Sequence, residues 1–418
     1  NAEAERLADP AGGGADLVVL PVHEGASSTA LESATDPDTA FGKIVNGVGA
    51  DIDAIVSGHT NLAYNHAVTV PEWVTEGRAV TKRPVVSAGQ YGSNLNQLLF
   101  TVDPDTGAVS AVAQNLLALK TGQTANFPAD AATATIVSDA VAAAAGPGSV
   151  VVGELEAPFS RAKYADGATE NRGGESTLGN LVAEIQQWAT ETPEAGGAEI
   201  AFMNPGGLRG DLVGNLVDGT RSLTYAQAAN VQPFATTLVN MDLTGAQIET
   251  VLEQQWQLTG PTAPGGAGLV PSRPFLKLGV SDGFEYTYTT SVLPTPSETD
   301  DASATYTQGE ITSITLDGAP VEAAQTYSVT VNSFLASGGD NFRELAQGAD
   351  PRDTGKIDLQ AQVDYFEQEV DGPLAPDFSQ RAVGVQFPGD DNSVAAGESL
   401  SFDLSSLIMT GSAGGVTD

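Results

Sequence analysis

The 418-residue chain carries 53 acidic against 17 basic residues, a formal charge of -36, and 41% apolar residues. The apolar share is enough for a globular core and excludes a disordered tail; the charge argues against nucleic acid and anionic membranes as partners. The absence of cysteine removes disulfides and thiolate catalysis and leaves the redox compartment open.

In chain order, "AEAERLAD" reads as a short helix and "ADLVVLPVHEG" as a buried strand whose apolar run ends at His23. A helical "TAFGKIVNGVG" and a second strand, "IDAIVSGHTN", follow. This alternation predicts a parallel α/β layout, in which ligands collect at the carboxyl ends of strands, where His23 and His59 sit. "RPVVSAGQYGSNLNQLLFTVDPDTGAVSAV" reads as strands joined by a turn at "DPDTG" that close a first domain near Leu119.

Residues from Pro128 to Ala145 read as a connecting helix stopped by "GPG", and the domain boundary is placed there. The stretch "DAVAAAAGPGSVVVGEL" is too weak for a membrane span. Beyond it come a strand, "SVVVGELEA", and a helix, "STLGNLVAEIQQWAT", with Leu178, Leu181, Val182, Ile185 and Trp188 on one face. "LTGAQIETVLEQQW" opens on a capping box from Thr244 to Gln247, and "EITSITLDGAPV" is a hairpin turning at Asp317-Gly318. Mixed strands and helices imply an α+β domain. After "GVQFPGDD" the sequence turns strand-like and rich in small residues, as the start of a further β module or a tail.

Two strand-end histidines could share a metal, since neutral imidazole is a common ligand for Zn, Mn and Fe; a hydrogen-bonded structural role is the alternative. Any anionic ligand of so acidic a chain would need a metal or a few placed arginines. Phe234 and Phe334, read without further context, are core residues, and Asp340 in "GGDN" is a turn aspartate.

The motifs carry a resemblance. "LPVHEG" followed by "DAIVSGHTN" resembles the last two metal motifs of the calcineurin-like metallophosphoesterases, in their 5'-nucleotidase / UDP-sugar hydrolase branch. "ENRGGESTLGNLVAE", "FMNPGGLRGDL", "NVQPFATTLVNMDLTGAQIETVLE" and "VTVNSFLASGGDNF" resemble that family's C-terminal substrate-binding segments, so the likeness covers about Ala2 to Phe387. The fold it implies is α/β: the C-terminal half of a four-layer α/β/β/α metallophosphoesterase domain over 1–120, a linker helix over 121–148, and an α+β C-terminal domain over 149–388, with 389–418 left as module or tail.

The resemblance implies two divalent metal ions (Zn, Mn or Mg), with His23, His59 and Asn61 among their ligands. Asn61 stands where most members have histidine, and an amide oxygen is a harder ligand than imidazole, which tilts that position toward Mn or Mg. It implies Phe234 and Phe334 on the nucleobase, where stacking is worth roughly 1–3 kcal/mol per base. It further implies Asp340 on the ribose, Arg172 and Arg209 on phosphate, and Asn204 beside base or sugar. Pro205 and Ala235 replace family glycines, and His66 matches no ligand and is read as structural.

The family's N-terminal metal motifs, including its transition-state histidine, have no counterpart here, so a missing N-terminal part is the expected partner and no catalytic residue is assigned. Asn1 is not methionine and no charged-then-apolar leader follows it. The expected activity is hydrolysis of nucleoside 5'-phosphates in a secreted or cell-surface bacterial-type enzyme. UDP-sugar hydrolysis, 2',3'-cyclic nucleotide hydrolysis, a non-catalytic nucleotide-binding module and a cell-wall structural protein are the alternatives.

Overall fold

The computed structural model describes the chain except residues 10, 12, 13, 123, 259–272, 295–304, 388–393, 395, 396, 398, 408 and 410–418. It divides into two compact units, Asn1–Ile136 and Val137–Asp418.

The first unit runs α1 (Ala2–Ala8), β1 (Val19–Val22), α2 (Leu31–Thr35), α3 (Ala40–Gly47), β2 (Ala54–Ser57), β3 (Ala63–Thr69), α4 (Pro71–Thr75) and β4 (Lys82–Ala88). Its sheet has the order β1-β2-β4-β3. β1, β2 and β4 are parallel, with Val19 opposite Ala54 and Ile55 opposite Val85, as the apolar runs predict. α3 is started by Thr39, whose hydroxyl accepts from Gly42 N at 3.0 Å. Its Phe41 and Val45 pack with Ile52, Ile55 and Val85 as the core. Val19 and Val56 remain 43% and 37% exposed, so the strands are not buried on every side as continuous apolar runs suggest. β5 (Asn94–Val102) and β6 (Val109–Ala118) form the hairpin expected around "DPDTG", where Asp103 accepts from the backbone of Asp105 and Thr106. The pair β7 (Lys120–Thr121) and β8 (Thr124–Ala125) follows.

α5 (Ala131–Gly148) has no buried residue and contains the division between the units. The expectation that "GPG" stops this helix is corrected: Pro147 lies inside its last turn. A proline there forfeits a single N–H, and the chain beyond compensates, with Ser149 N bonding Ala145 O at 3.2 Å.

The second unit continues with β9 (Val151–Leu155), α6 (Thr177–Thr190), β10 (Ile200–Met203), β11 (Asn215–Val217), β12 (Thr220–Thr224), α7 (Tyr225–Val231), β13 (Thr237–Thr244) and α8 (Gly245–Glu253). After these come β14 (Gly279–Val280), β15 (Phe284–Pro294), β16 (Thr305–Leu316), β17 (Ala319–Pro320), β18 (Thr326–Asn332) and α9 (Ser333–Ala336). β19 (Ala349–Ile357), α10 (Asp358–Gln368), β20 (Ala382–Gln386) and β21 (Asp403–Ser405) complete it.

Among the described residues of this unit three sheets form, ordered β14-β10-β18-β13-β19, β11-β12-β9 and β17-β16-β15-β20-β21. The predicted stripe on α6 is the one that buries: Leu178, Leu181, Val182 and Ile185 pack with Leu155, Leu223 and Phe366. The Thr244–Gln247 capping box forms, seating Ile248, Val251 and Leu252 against Phe202 and Phe284. Asp317 and Gly318 both take positive φ, 51° and 74°, as a two-residue hairpin turn requires. β21, within the segment read as the start of a further module, pairs with β20 and so adds an edge strand to this unit; much of the rest of 388–418 lies outside the described residues. Among the described residues no helix is long and apolar enough to cross a membrane.

Candidate functional site

In the first unit, β1 ends at Val22 and β2 at Ser57, and the parallel pairing of Val22 with Ser57 brings the following turns together. The rings of His23 and His59 stand 5.2 Å apart, edge to face. His59 has φ 63° and is the centre of a three-residue turn closed by Thr60 N on Gly58 O at 2.7 Å; Asn61 follows with φ 61°. Such a turn is rare and strained for a residue with a side chain, and it persists because its surroundings fix it. Gly58 N bonds Glu24 O at 3.1 Å, and Gly25 faces the turn at close range. Beneath it Tyr64 is a hub: its hydroxyl accepts from Ala26 N at 3.2 Å and shares a 2.6 Å hydrogen bond with Ser57 Oγ. His66 stacks on Tyr64 at 5.1 Å, and burial lowers its imidazole pKa.

A side chain at position 25 has no room. A Cβ there would collide with Gly58 O and stand 2.6 Å from Thr60 Oγ1. Gly25→Ala is therefore expected to destabilise the first unit by about 1–3 kcal/mol, the usual cost of overpacking. Thermal unfolding of the intact chain checks this, and an unchanged midpoint would contradict it.

His23, His59 and Asn61 are exposed and adjacent, but among the described residues no group of three or more His, Cys, Asp or Glu is placed to hold a metal ion. Two imidazoles and an amide are three neutral donors with no carboxylate among them, too few for two metal ions.

In the second unit the polar residues gather at one end of the five-stranded sheet. β10 and β18 are parallel, β13 runs antiparallel to β18, and Leu238 faces Asn332. Asn204 follows the carboxyl end of β10, Phe334 follows that of β18, and Phe234 precedes the amino end of β13. Buried Asn332 organises this edge. Its amide donates to Asn204 Oδ1 at 3.1 Å while its carbonyl oxygen caps α9 by accepting from Leu335 N at 3.0 Å. Asn204 in turn donates to Asp340 Oδ2 at 2.8 Å.

Gly206 is the floor of the cluster. A Cβ at that position would lie 3.2 Å from both Arg172 Nη1 and Asp340 Oδ2 and 3.4 Å from Asn204 Nδ2, so these three side chains converge on one point. Arg172 is held by Glu170 Oε1 at 3.2 Å. Asp340 and Asn341 both take left-handed φ, 52° and 63°, after Gly338 at 82°. That loop presents the Asp340 carboxylate toward Asn204.

The two phenylalanines are not core residues: Phe234 is 59% and Phe334 46% exposed. Exposure of large aromatics beside a polar cluster is what a stacking surface needs. The ring of Phe334 lies against the face of Gly339, where a Cβ would come within 2.6 Å of three ring atoms. The Arg209 guanidinium sits 5.9 Å from the centre of the Phe234 ring, within cation–π range. Ala235, at a position where the resemblance expects glycine, has φ 51°, a conformation glycine adopts freely and alanine does not.

Behind Arg172 lies a buried charged pair that reading the sequence did not single out. Lys277 N donates to Arg172 O at 2.8 Å, pinning the arginine loop to the chain entering β14. Lys277 Nζ is 3.8 Å from Glu175 Oε2, with both side chains at most 4% exposed, and donates to Tyr286 Oη at 2.9 Å. Glu175 Oε1 accepts from Asn180 Nδ2 and Arg381 N, at 2.9 and 2.8 Å. Burial lowers the pKa of the Lys277 ammonium, while the Glu175 charge opposes that shift. The same burial raises the Tyr286 phenol well above its ordinary value. On the other flank Asp211 binds Arg161 Nε and Lys163 Nζ at 2.9 and 3.0 Å. Burial pushes that carboxyl up, but hydrogen bonds from Arg161 and Lys163 outweigh it and hold the group below the usual range.

The mixed α/β fold of the chain is similar to that of solved 5'-nucleotidases. Its fold aligns with the 5'-nucleotidase precursor from Thermus thermophilus with a TM-score of 0.52, at 23% identity over 91% of this chain and 66% of that one. Residues 151–347 match the family model of the 5'-nucleotidase, C-terminal domain. Two curated relatives are the cell wall protein Lmo0130 of Listeria monocytogenes, 34% identical over 40% of this chain, and the trifunctional nucleotide phosphoesterase protein YfkN of Bacillus subtilis, 30% identical over 53%. The chain spans 18% and 13% of their respective lengths.

Proposed function

We propose that the second unit binds a nucleoside 5'-phosphate and that the protein serves as a 5'-nucleotidase, a phosphoric monoester hydrolase working at or outside the cell surface. The observation that carries this reading is the convergence of Arg172, Asn204 and Asp340 over Gly206, next to the exposed rings of Phe234 and Phe334. Each group suits one part of the ligand. A guanidinium offers a planar fork to phosphate oxygens. The Asp340 carboxylate has one oxygen engaged by Asn204 and presents the other to the hydroxyls of a ribose. Aromatic faces accept any base and give broad base tolerance. Arg209, over Phe234, joins the aromatic surface to the phosphate end.

His23, His59 and Asn61 would contribute donors to a divalent ion of the Zn, Mn or Mg kind. As their set is short of a complete one, no step of hydrolysis is derived from these residues. The names of the relatives, a cell wall protein and a nucleotide phosphoesterase, agree with a surface location and with nucleotide chemistry.

Calorimetric titration of the full chain with AMP and adenosine tests the binding half. Phe334→Ala is expected to weaken both ligands by about 10- to 100-fold, in keeping with roughly 1–3 kcal/mol of stacking. Unchanged affinity would remove Phe334 from the site, and failure of the unaltered chain to bind either ligand would remove the reading.

A further inference from the structure

Arg273 is a cationic residue near this site that the nucleotide reading has not used. The two residues that follow it, Pro274 and Phe275, are tied to the two sides of the cluster. Gln257 N bonds Pro274 O at 2.8 Å, and the side chain of Gln257 accepts from Asn341 Nδ2 at 2.9 Å, beside Asp340. On the other side Phe275 lies against Gly173, the neighbour of Arg172: a Cβ at Gly173 would be 3.1 Å from Phe275 Cδ1. Arg273 thus stands between the loop that carries Arg172 and the loop that carries Asp340.

The charges around it do not cancel. Arg273 is within electrostatic reach of Arg172, Glu170, Asp340 and Arg209; desolvation, then repulsion from Arg172, lowers its pKa, with Arg209 adding to that repulsion. Three guanidinium groups there face two carboxylates. Glu170 is shared by Arg172 at 3.2 Å and Arg161 at 3.9 Å, and Asp340 accepts from Asn204, whereas Arg273 is exposed and makes no hydrogen bond or ion pair among the described residues. In a chain of formal charge -36, a locally cationic rim of this kind is an exception. An unpaired guanidinium beside two others carries repulsion in the free protein that an anionic ligand would relieve.

We infer that Arg273 is a specificity-determining residue that reads the charge of the ligand, supplying a third guanidinium to the phosphoryl group and so favouring phosphorylated over unphosphorylated nucleosides. For its ligand this rests on the nucleotide reading above. No bond is made or broken by Arg273.

The test is calorimetric titration of the full chain, and of Arg273→Gln and Arg273→Lys, with adenosine, AMP and pyrophosphate. The expected result is an adenosine affinity within about twofold of the unaltered chain for Arg273→Gln, with AMP and pyrophosphate weakened about tenfold. Arg273→Lys should recover part of the loss, and the dependence of AMP affinity on NaCl should be shallower in Arg273→Gln. Unchanged AMP affinity overturns the inference, as does an equal loss for adenosine, which would mark a merely structural role. If the unaltered chain binds neither adenosine nor AMP, the nucleotide reading fails and pyrophosphate decides the arginine alone. Binding lost in Arg273→Gln supports the anion site; binding indifferent to it, or absent altogether, refutes it.

Discussion

Lys277→Met is expected to destabilise the second unit by about 3–5 kcal/mol, because it strips the ammonium from a buried carboxylate. Glu175 would keep Asn180 Nδ2 and Arg381 N on one oxygen, but its other oxygen already has no hydrogen-bond partner and would lose the ammonium 3.8 Å away. The double change Glu175→Gln with Lys277→Met should recover most of that loss, since a neutral amide oxygen can still accept from both donors. Urea unfolding followed by tryptophan fluorescence reads the effect: Trp256 stands 5.0 Å from Tyr288, whose ring lies 5.7 Å from the Lys277 ammonium. A single variant as stable as the parent would contradict this.

Gly279→Ala is expected to cost more than about 3 kcal/mol, above the ordinary range for an added methyl group, because the obstacle is backbone. A Cβ at Gly279 would strike Gly179 O and Gly179 C and stand 2.9 Å from Gly179 Cα. Gly179 is in the first turn of α6, just after the Ser176 cap that follows the Arg172 loop, so no side-chain rotation can relieve the clash. The double glycine contact is what lets α6 start where it does. The same unfolding assay applies, and AMP affinity should fall with it. A Gly279→Ala chain with parental stability would mean that β14 can retreat from the helix without cost.

Much of this was legible in the sequence. The parallel strands before His23 and His59, the stripe of α6, the two-residue turn at Asp317-Gly318 and the cap at Thr244 all follow from local rules, and the structure forms each of them. The structure brings Arg172, Asn204 and Asp340 together over Gly206, and their parts in holding a nucleotide remain the proposal made above. What escaped has a common physical cause. Glu175 and Lys277 are distant in sequence and charged, and a rule that puts charge at the surface says nothing of a pair that meets in the interior. Asn332 was hidden in a motif chosen for its phenylalanine; an asparagine at the end of an apolar strand, before a short helix, was a capping signal in plain view. The run through "GPG" shows a proline tolerated near the close of a helix, where one missing donor matters little.

The chain that runs from the Asn332 amide through the Asn204 amide to the Asp340 carboxylate has a kinetic consequence. Its members are hydrogen-bonded to one another, and Phe334 rests on Gly339. Little ordering is left for the moment of encounter, so the entropy of fixing these side chains is spent during folding. Substitutions around Gly206 should accordingly shorten the residence time of a bound nucleotide far more than they slow its arrival.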